Sequence, residues 1–115
     1  MSEQTYEKYR PFDEDQLLAQ IGRMNIFAIS GGRVQIWRTD DNKAARTVTL
    51  PVSNGYSVEI YLAWDDTYTV TRQFKRKGEY INKGTLEGIY AEEIGEVVYQ
   101  ASCFRSYEFG KKVTK

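Results

Sequence analysis

Between residues 31 and 84 turn-forming groups recur at short intervals: Gly31-Gly32, Asp40-Asp41-Asn42-Lys43, Ser53-Asn54-Gly55, Asp65-Asp66, Lys77-Gly78 and Lys83-Gly84. Such spacing leaves room for strands joined by tight turns and little room for helices. The intervening segments agree. Val58, Ile60 and Leu62 alternate with Ser57, Glu59 and Tyr61, the period of a half-buried strand. Gly31-Gly32 reads as a two-residue hairpin joining strands at 25–30 and 33–38, because both glycines accept positive φ. Further strands are predicted at 46–50, 56–63 and 67–76, with a short segment at 79–82 and a last strand at 85–90. Pro51 cannot donate to a ladder, so its strand ends there or lies on an edge. Consecutive strands at this spacing describe an antiparallel meander.

Helices are predicted on either side. Asp13 is a natural N-cap, with Gln16 placed for a capping box and Phe12 placed to staple onto Leu17. Glu14 and Asp15 follow in the first turn, where the helix dipole favours acids. Leu17, Leu18, Ile21 and Met24 form the apolar stripe, and the helix is expected to stop near Asn25. At the other end Ile94, Val97, Val98 and Ala101 recur at helical spacing within 91–104. For 94–99 a strand remains the alternative, since Gly95 weakens a helix and Val97-Val98-Tyr99 suits a sheet. The expected fold is a single α+β domain over 1–115: a curved antiparallel meander of about five to seven strands between an N-terminal and a C-terminal helix. Residues 1–11 and 110–115 are expected to be tails.

Composition narrows the chemistry. The 115 residues contain no histidine and one cysteine, which removes the usual zinc sites, His-dependent nucleophile systems and an internal disulfide. No cofactor and no metal is expected. Sixteen basic residues balance sixteen acidic ones, so no net charge draws the chain to nucleic acid or to an anionic membrane. The polar first ten residues lack the apolar stretch of a signal peptide, and no apolar run approaches a membrane span. An intracellular setting is the expectation. Without histidine, metal ligands or a phosphate loop, the chain reads as a non-enzyme.

Charge is nevertheless segregated. Arg72, Lys75, Arg76, Lys77 and Lys83 face a single acid, Glu79, across 72–83. Phe74 and Tyr80 interleave with them, and Tyr61, Trp64 and Tyr68 sit on the neighbouring hairpin. Cations neutralise phosphates and flat rings stack on bases, so the hairpin 61–83 suits single-stranded nucleic acid or a nucleotide as well as a protein partner. A soluble hairpin tip is the plainer reading. Tyr61, Trp64, Arg72, Lys75, Arg76 and Lys77 are the candidate contact surface. Glu92, Glu93 and Glu96, in a stretch with no basic residue, form a candidate second surface. Asp40-Asp41 and Asp65-Asp66 lack the alternation of a calcium loop and read as turn chemistry. Cys103 reads as a buried structural thiol. Nine tyrosines are many for this length. Tyr6, Tyr9, Tyr61, Tyr99 and Tyr107 fall outside the core pattern, and tyrosine is a common contact residue.

Several segments carry a resemblance. They are Leu17-Leu18-Ala19-Gln20-Ile21-Gly22-Arg23-Met24-Asn25-Ile26, Ala28-Ile29-Ser30-Gly31-Gly32-Arg33-Val34, Leu50-Pro51-Val52-Ser53-Asn54-Gly55-Tyr56, Asp66-Thr67-Tyr68-Thr69-Val70 and the run from Tyr90 to Phe104. In this order they resemble small proteins encoded by tailed bacteriophages, notably those of actinobacteria, over about residues 17–104. The resemblance carries no catalytic or ligand-binding residue onto this chain. It implies a phage accessory protein in the bacterial host cytoplasm that binds and modulates a host or anti-phage defence protein. Nucleic-acid binding through 61–83 is the first alternative, and a virion or assembly component the second.

Overall fold

The computed structural model describes residues 9–110. In chain order the elements are β1 (Tyr9–Arg10), α1 (Glu14–Ile21), α2 (Arg23–Ser30), β2 (Gln35–Arg38), β3 (Ala45–Pro51), β4 (Tyr56–Ala63), β5 (Tyr68–Arg76), β6 (Glu79–Ile89) and α3 (Ile94–Ser102). All strand pairs are antiparallel, and β2 to β6 lie side by side in chain order. The α+β meander read from the sequence is therefore the fold, with six strands. β1 pairs with the end of β4, Tyr9 opposite Ala63 and Arg10 opposite Leu62. Phe12 then exchanges both backbone hydrogen bonds with Ala45. Tyr9 and Arg10 thus belong to the sheet rather than to a tail; residues 1–8 and 111–115 lie outside the described residues.

One face of the sheet carries the core. Val48 and Leu50 of β3, Val58 and Ile60 of β4 and Val70 of β5 are fully buried. They cluster with Leu17 and Ile21 of α1, Ile29 of α2, and Ile94, Val98 and Ala101 of α3. The strand period puts alternate residues on this face, and the helices cover it. Asp13 caps α1, its carboxylate accepting from the Asp15 N–H at 2.9 Å. Pro51 is the last residue of β3, where the ladder stops.

Three local expectations are corrected. Residues 25–30 are helix, and Gly31-Gly32 is not a hairpin. Gly22 ends α1, α2 restarts at Arg23, and Gly31 closes it in the left-handed conformation (φ 67°) with its N–H on the Phe27 carbonyl at 2.8 Å. A glycine at this position is an ordinary helix C-cap. Restarting the helix also rotates Met24 out of the predicted stripe, and it is 86% exposed. The segments at 79–82 and 85–90 form one strand, β6, which absorbs Lys83-Gly84 within its length. The helix expected within 91–104 forms over Ile94–Ser102 as read, and the strand alternative for 94–99 does not hold.

Gly95 explains how that helix tolerates a glycine. A Cβ there would stand 2.8 Å from the Ile21 carbonyl oxygen and 3.1 Å from Asn25 Nδ2. The residue lets α3 press against the end of α1. Alanine in a helix ordinarily gains about 1 kcal/mol over glycine. Here Gly95→Ala is expected to lose on the order of 1–2 kcal/mol, because backbone must shift. Urea unfolding checks the sign: a more stable variant contradicts the packing account.

Candidate functional site

The sheet face turned away from the helices is polar and concave. The register places Gln35, Thr49, Glu59 and Thr71 in one row across four strands, with Ser57 opposite both Pro51 and Gln73. Trp37 stands opposite Thr47, and Lys75 opposite Tyr80. Register shifts interrupt the β2–β3 and β5–β6 ladders. Irregularities of this kind bend a sheet. The resulting bowl has a volume of about 1060 Å³, and Gln35, Trp37, Glu59, Tyr61, Lys75 and Tyr80 are among its lining. Trp37 is 50% and Tyr80 62% exposed. They stand on strands at opposite sides of the sheet.

Glu59 and Tyr61 form a unit on the floor. The Tyr61 hydroxyl donates to Glu59 Oε1 at 2.8 Å, and the Tyr61 ring stacks on Tyr9 with centroids 4.5 Å apart. Burial raises the Glu59 carboxyl above its usual 4.5, opposed by the Tyr61 hydrogen bond. Burial, reinforced by the Glu59 charge, pushes the Tyr61 phenol far above its ordinary range, so it remains a neutral donor. A raised carboxyl makes the native state hold a proton that the unfolded chain has released. Stability then falls as pH rises through the window above 4.5. Glu59→Gln keeps an acceptor for Tyr61 and removes the charge. The variant is expected to gain stability relative to the parent between about pH 4 and about pH 7, read by urea unfolding at both ends. A difference that does not change with pH contradicts the burial of Glu59. Glu14 acts in the opposite sense in both proteins and cancels from the comparison: its hydrogen bond from Arg38 lowers its carboxyl.

The candidate residues of hairpin 61–83 do not form one surface. Tyr61 and Lys75 line the bowl. Arg76 follows Lys75 on the opposite strand face and pairs in register with Glu79, and Lys77 occupies the turn. Trp64 is exposed in the β4–β5 turn, at the far end of the nine-residue β5, roughly 27 Å from that tip at a strand's rise. Arg72 is a correction: it is only 5% exposed, on the core face beside Val58. Its guanidinium donates from Nε to the Ala101 carbonyl at 2.7 Å, from Nη1 to Tyr107 at 2.8 Å and from Nη2 to Gln100 at 3.1 Å. It ties β5 to the end of α3 and to the loop beyond, and offers no free cation to a hairpin surface.

Glu92, Glu93 and Glu96 are all exposed at the start of α3. Glu93 Oε1 accepts from the Tyr90 N–H at 3.4 Å, and Glu96 from Gln100 Nε2 at 3.1 Å. Among the described residues no three acidic or thiol side chains converge on a possible metal position. Asp41 and Asp65 serve their turns: hydrogen bonds from Thr39 and Thr67 respectively lower their carboxyls. Cys103 is half-buried rather than buried. Tyr6 lies outside the described residues; Tyr99 and Tyr107 are 41% and 51% exposed.

Sequence reasoning missed Trp37, Glu59 and Tyr80 as partners in one site. The alternation in β4 already separated Glu59 from the core face, but the bends that make its face concave leave no mark in a period-two pattern. No helix among the described residues is long and apolar enough to cross a membrane. No protein-family model, no curated protein and no solved structure matches this chain.

Proposed function

We propose that this is a non-enzymatic binding protein whose contact surface is the concave sheet face. The observation that carries the reading is the pairing of two exposed aromatic side chains, Trp37 and Tyr80, across a polar floor of Gln35, Ser57, Glu59 and Gln73. Aromatic anchors with hydrogen-bonding neighbours are the anatomy of a protein interface. Lys75, with Nζ 5.5 Å from the Tyr80 ring centroid, and the exposed Arg33 bring cations to the rim, where Arg38 is already paired with Glu14. A floor carboxylate, the pairing of Arg38 with Glu14 and the withdrawal of Arg72 into the core leave Arg33 and Lys75 at opposite sides of the bowl. This favours a protein over a nucleic-acid backbone, which demands a run of free cations.

The setting we propose follows from the resemblance of residues 17–104 to small proteins of tailed phages. The partner is a protein of the bacterial host or of its anti-phage defences, met in the host cytoplasm, and binding inhibits or redirects it. The test is an affinity pull-down of tagged protein from phage-infected lysate, with and without nuclease, alongside Lys75→Glu. A protein retained through nuclease and depleted about tenfold or more by Lys75→Glu is the expected result. Partners lost on nuclease treatment overturn it in favour of nucleic acid. Retention unchanged by the charge reversal removes the bowl as the contact surface.

A further inference from the structure

A second cleft, of about 560 Å³, opens on the other side of the sheet between Tyr56, Lys83 and the loop from Phe104 to Gly110. Its charge is one-sided. Arg72, Lys83 and Arg105 line it against one carboxylate, Glu108. The ion pairs of Arg10 with Asp66 and of Arg38 with Glu14 lie elsewhere. Lys83 Nζ instead rests 5.8 Å from the Phe74 ring centroid, and Arg105 Cζ 5.4 Å from that of Phe104.

Arg72 makes the cleft more than a basic patch. A guanidinium has five N–H donors in a rigid fork. Three go to the carbonyls of Gln100, Ala101 and Tyr107, leaving one N–H on each terminal nitrogen. The charge is buried, and carbonyl dipoles and the Phe109 ring, whose centroid lies 5.5 Å from Cζ, offset it with no carboxylate among the described residues paired to it. Burying a cation without a counter-ion is costly, and a doubly charged oxyanion satisfies the remaining donors bidentately. The half-exposed Lys83 and exposed Arg105 bring mobile charge to the mouth.

We infer that this cleft binds a phosphate-class oxyanion, held by Lys83 and Arg105 at the mouth and by Arg72 at the base. The inference is independent of the contact surface proposed above, and its failure leaves that proposal standing. The probes are inorganic phosphate, pyrophosphate and a nucleoside monophosphate, titrated calorimetrically at constant ionic strength. The paired variant is Lys83→Gln with Arg105→Gln, which leaves Arg72 and the core intact. Saturable binding that the double variant weakens at least about tenfold is the expected result. A nucleoside monophosphate binding about tenfold tighter than phosphate identifies a nucleotide as the source, and equal affinities identify the free anion. No saturable binding of any probe, or equal binding by the double variant, overturns the inference. Circular dichroism of the variant separates lost binding from lost fold.

Discussion

Arg72→Leu is expected to destabilise the protein by on the order of 3–5 kcal/mol, the largest effect of any single surface-to-core contact described above. Leucine suits the apolar side of the site. It leaves the carbonyls of Ala101 and Tyr107 without the donor that now reaches them, while the Gln100 carbonyl loses Arg72 and keeps the Cys103 N–H at 3.1 Å. Each buried carbonyl so abandoned costs about 1–3 kcal/mol, reduced where water enters the cleft. Gln100 and Ala101 lie in the last turn of α3, the negative end of its dipole, where the Cys103 N–H caps only the Gln100 carbonyl. Arg72 therefore serves as the helix's C-terminal cation from a different element. Arg72→Lys is expected to recover less than half of the loss, because one ammonium cannot span three carbonyls on two segments. Thermal unfolding checks both variants: a drop of about 15–30 °C is expected for Arg72→Leu in a domain of this size. A drop below about 5 °C, or full recovery by lysine, contradicts the tie.

Gly84→Ala is expected to cost about 2–4 kcal/mol by a different route. A Cβ at Gly84 would stand 1.6 Å from the Phe109 carbonyl oxygen and 2.7 Å from its carbon, and φ is +141°. No rotamer relieves a clash with backbone. The segment around Phe109 must lift from β6 and carry with it a ring that is only 4% exposed. Gly32→Ala is the control. It too has positive φ, at 88°, but a Cβ there meets nothing within 4 Å, so its loss reports conformational strain alone, about 1 kcal/mol. Denaturant midpoints give the comparison, and hydrogen exchange should show protection lost first near residues 107–110. Equal losses at Gly32 and Gly84 contradict the close approach.

How much of this could be read beforehand differs by element. The strands at 56–63 and 67–76 were legible because a sheet with one face on a core repeats with period two. The error at 25–30 has a clear cause. Ile26, Phe27 and Ile29 fit either period over so short a run, and Gly31-Gly32 is both a hairpin signal and a helix C-cap. Helix length decides between them only once Gly22 is known to restart the helix rather than end it.

At Arg72 the strand pattern and the residue type point in opposite directions. In β5 the core-facing phase runs Tyr68, Val70, Arg72 and Phe74, so the alternation itself assigns Arg72 inward. Its charge drew it into a surface cluster with Lys75, Arg76 and Lys77. Pattern outranks residue type when the charged group finds carbonyls to hold it, and those carbonyls come from residues 28 to 35 positions away. The bowl was hidden for a related reason. Trp37 and Tyr80 are 43 residues apart in sequence, and only a full meander with bent ladders brings β2 and β6 to either side of Glu59.

The central claim is that Trp37 and Tyr80 anchor a protein partner over the concave face. The decisive measurement is the affinity of the captured partner for the wild type and for Trp37→Ala with Tyr80→Ala. Met24→Ala with Phe27→Ala, which strips the exposed side of α2, is the control. The account predicts weakening of at least about 30-fold for the bowl variant, the effect of losing central aromatic anchors, and little change for the helix variant. Unchanged affinity in the bowl variant, with binding lost on stripping α2, would contradict it and move the interface to the helical side of the molecule.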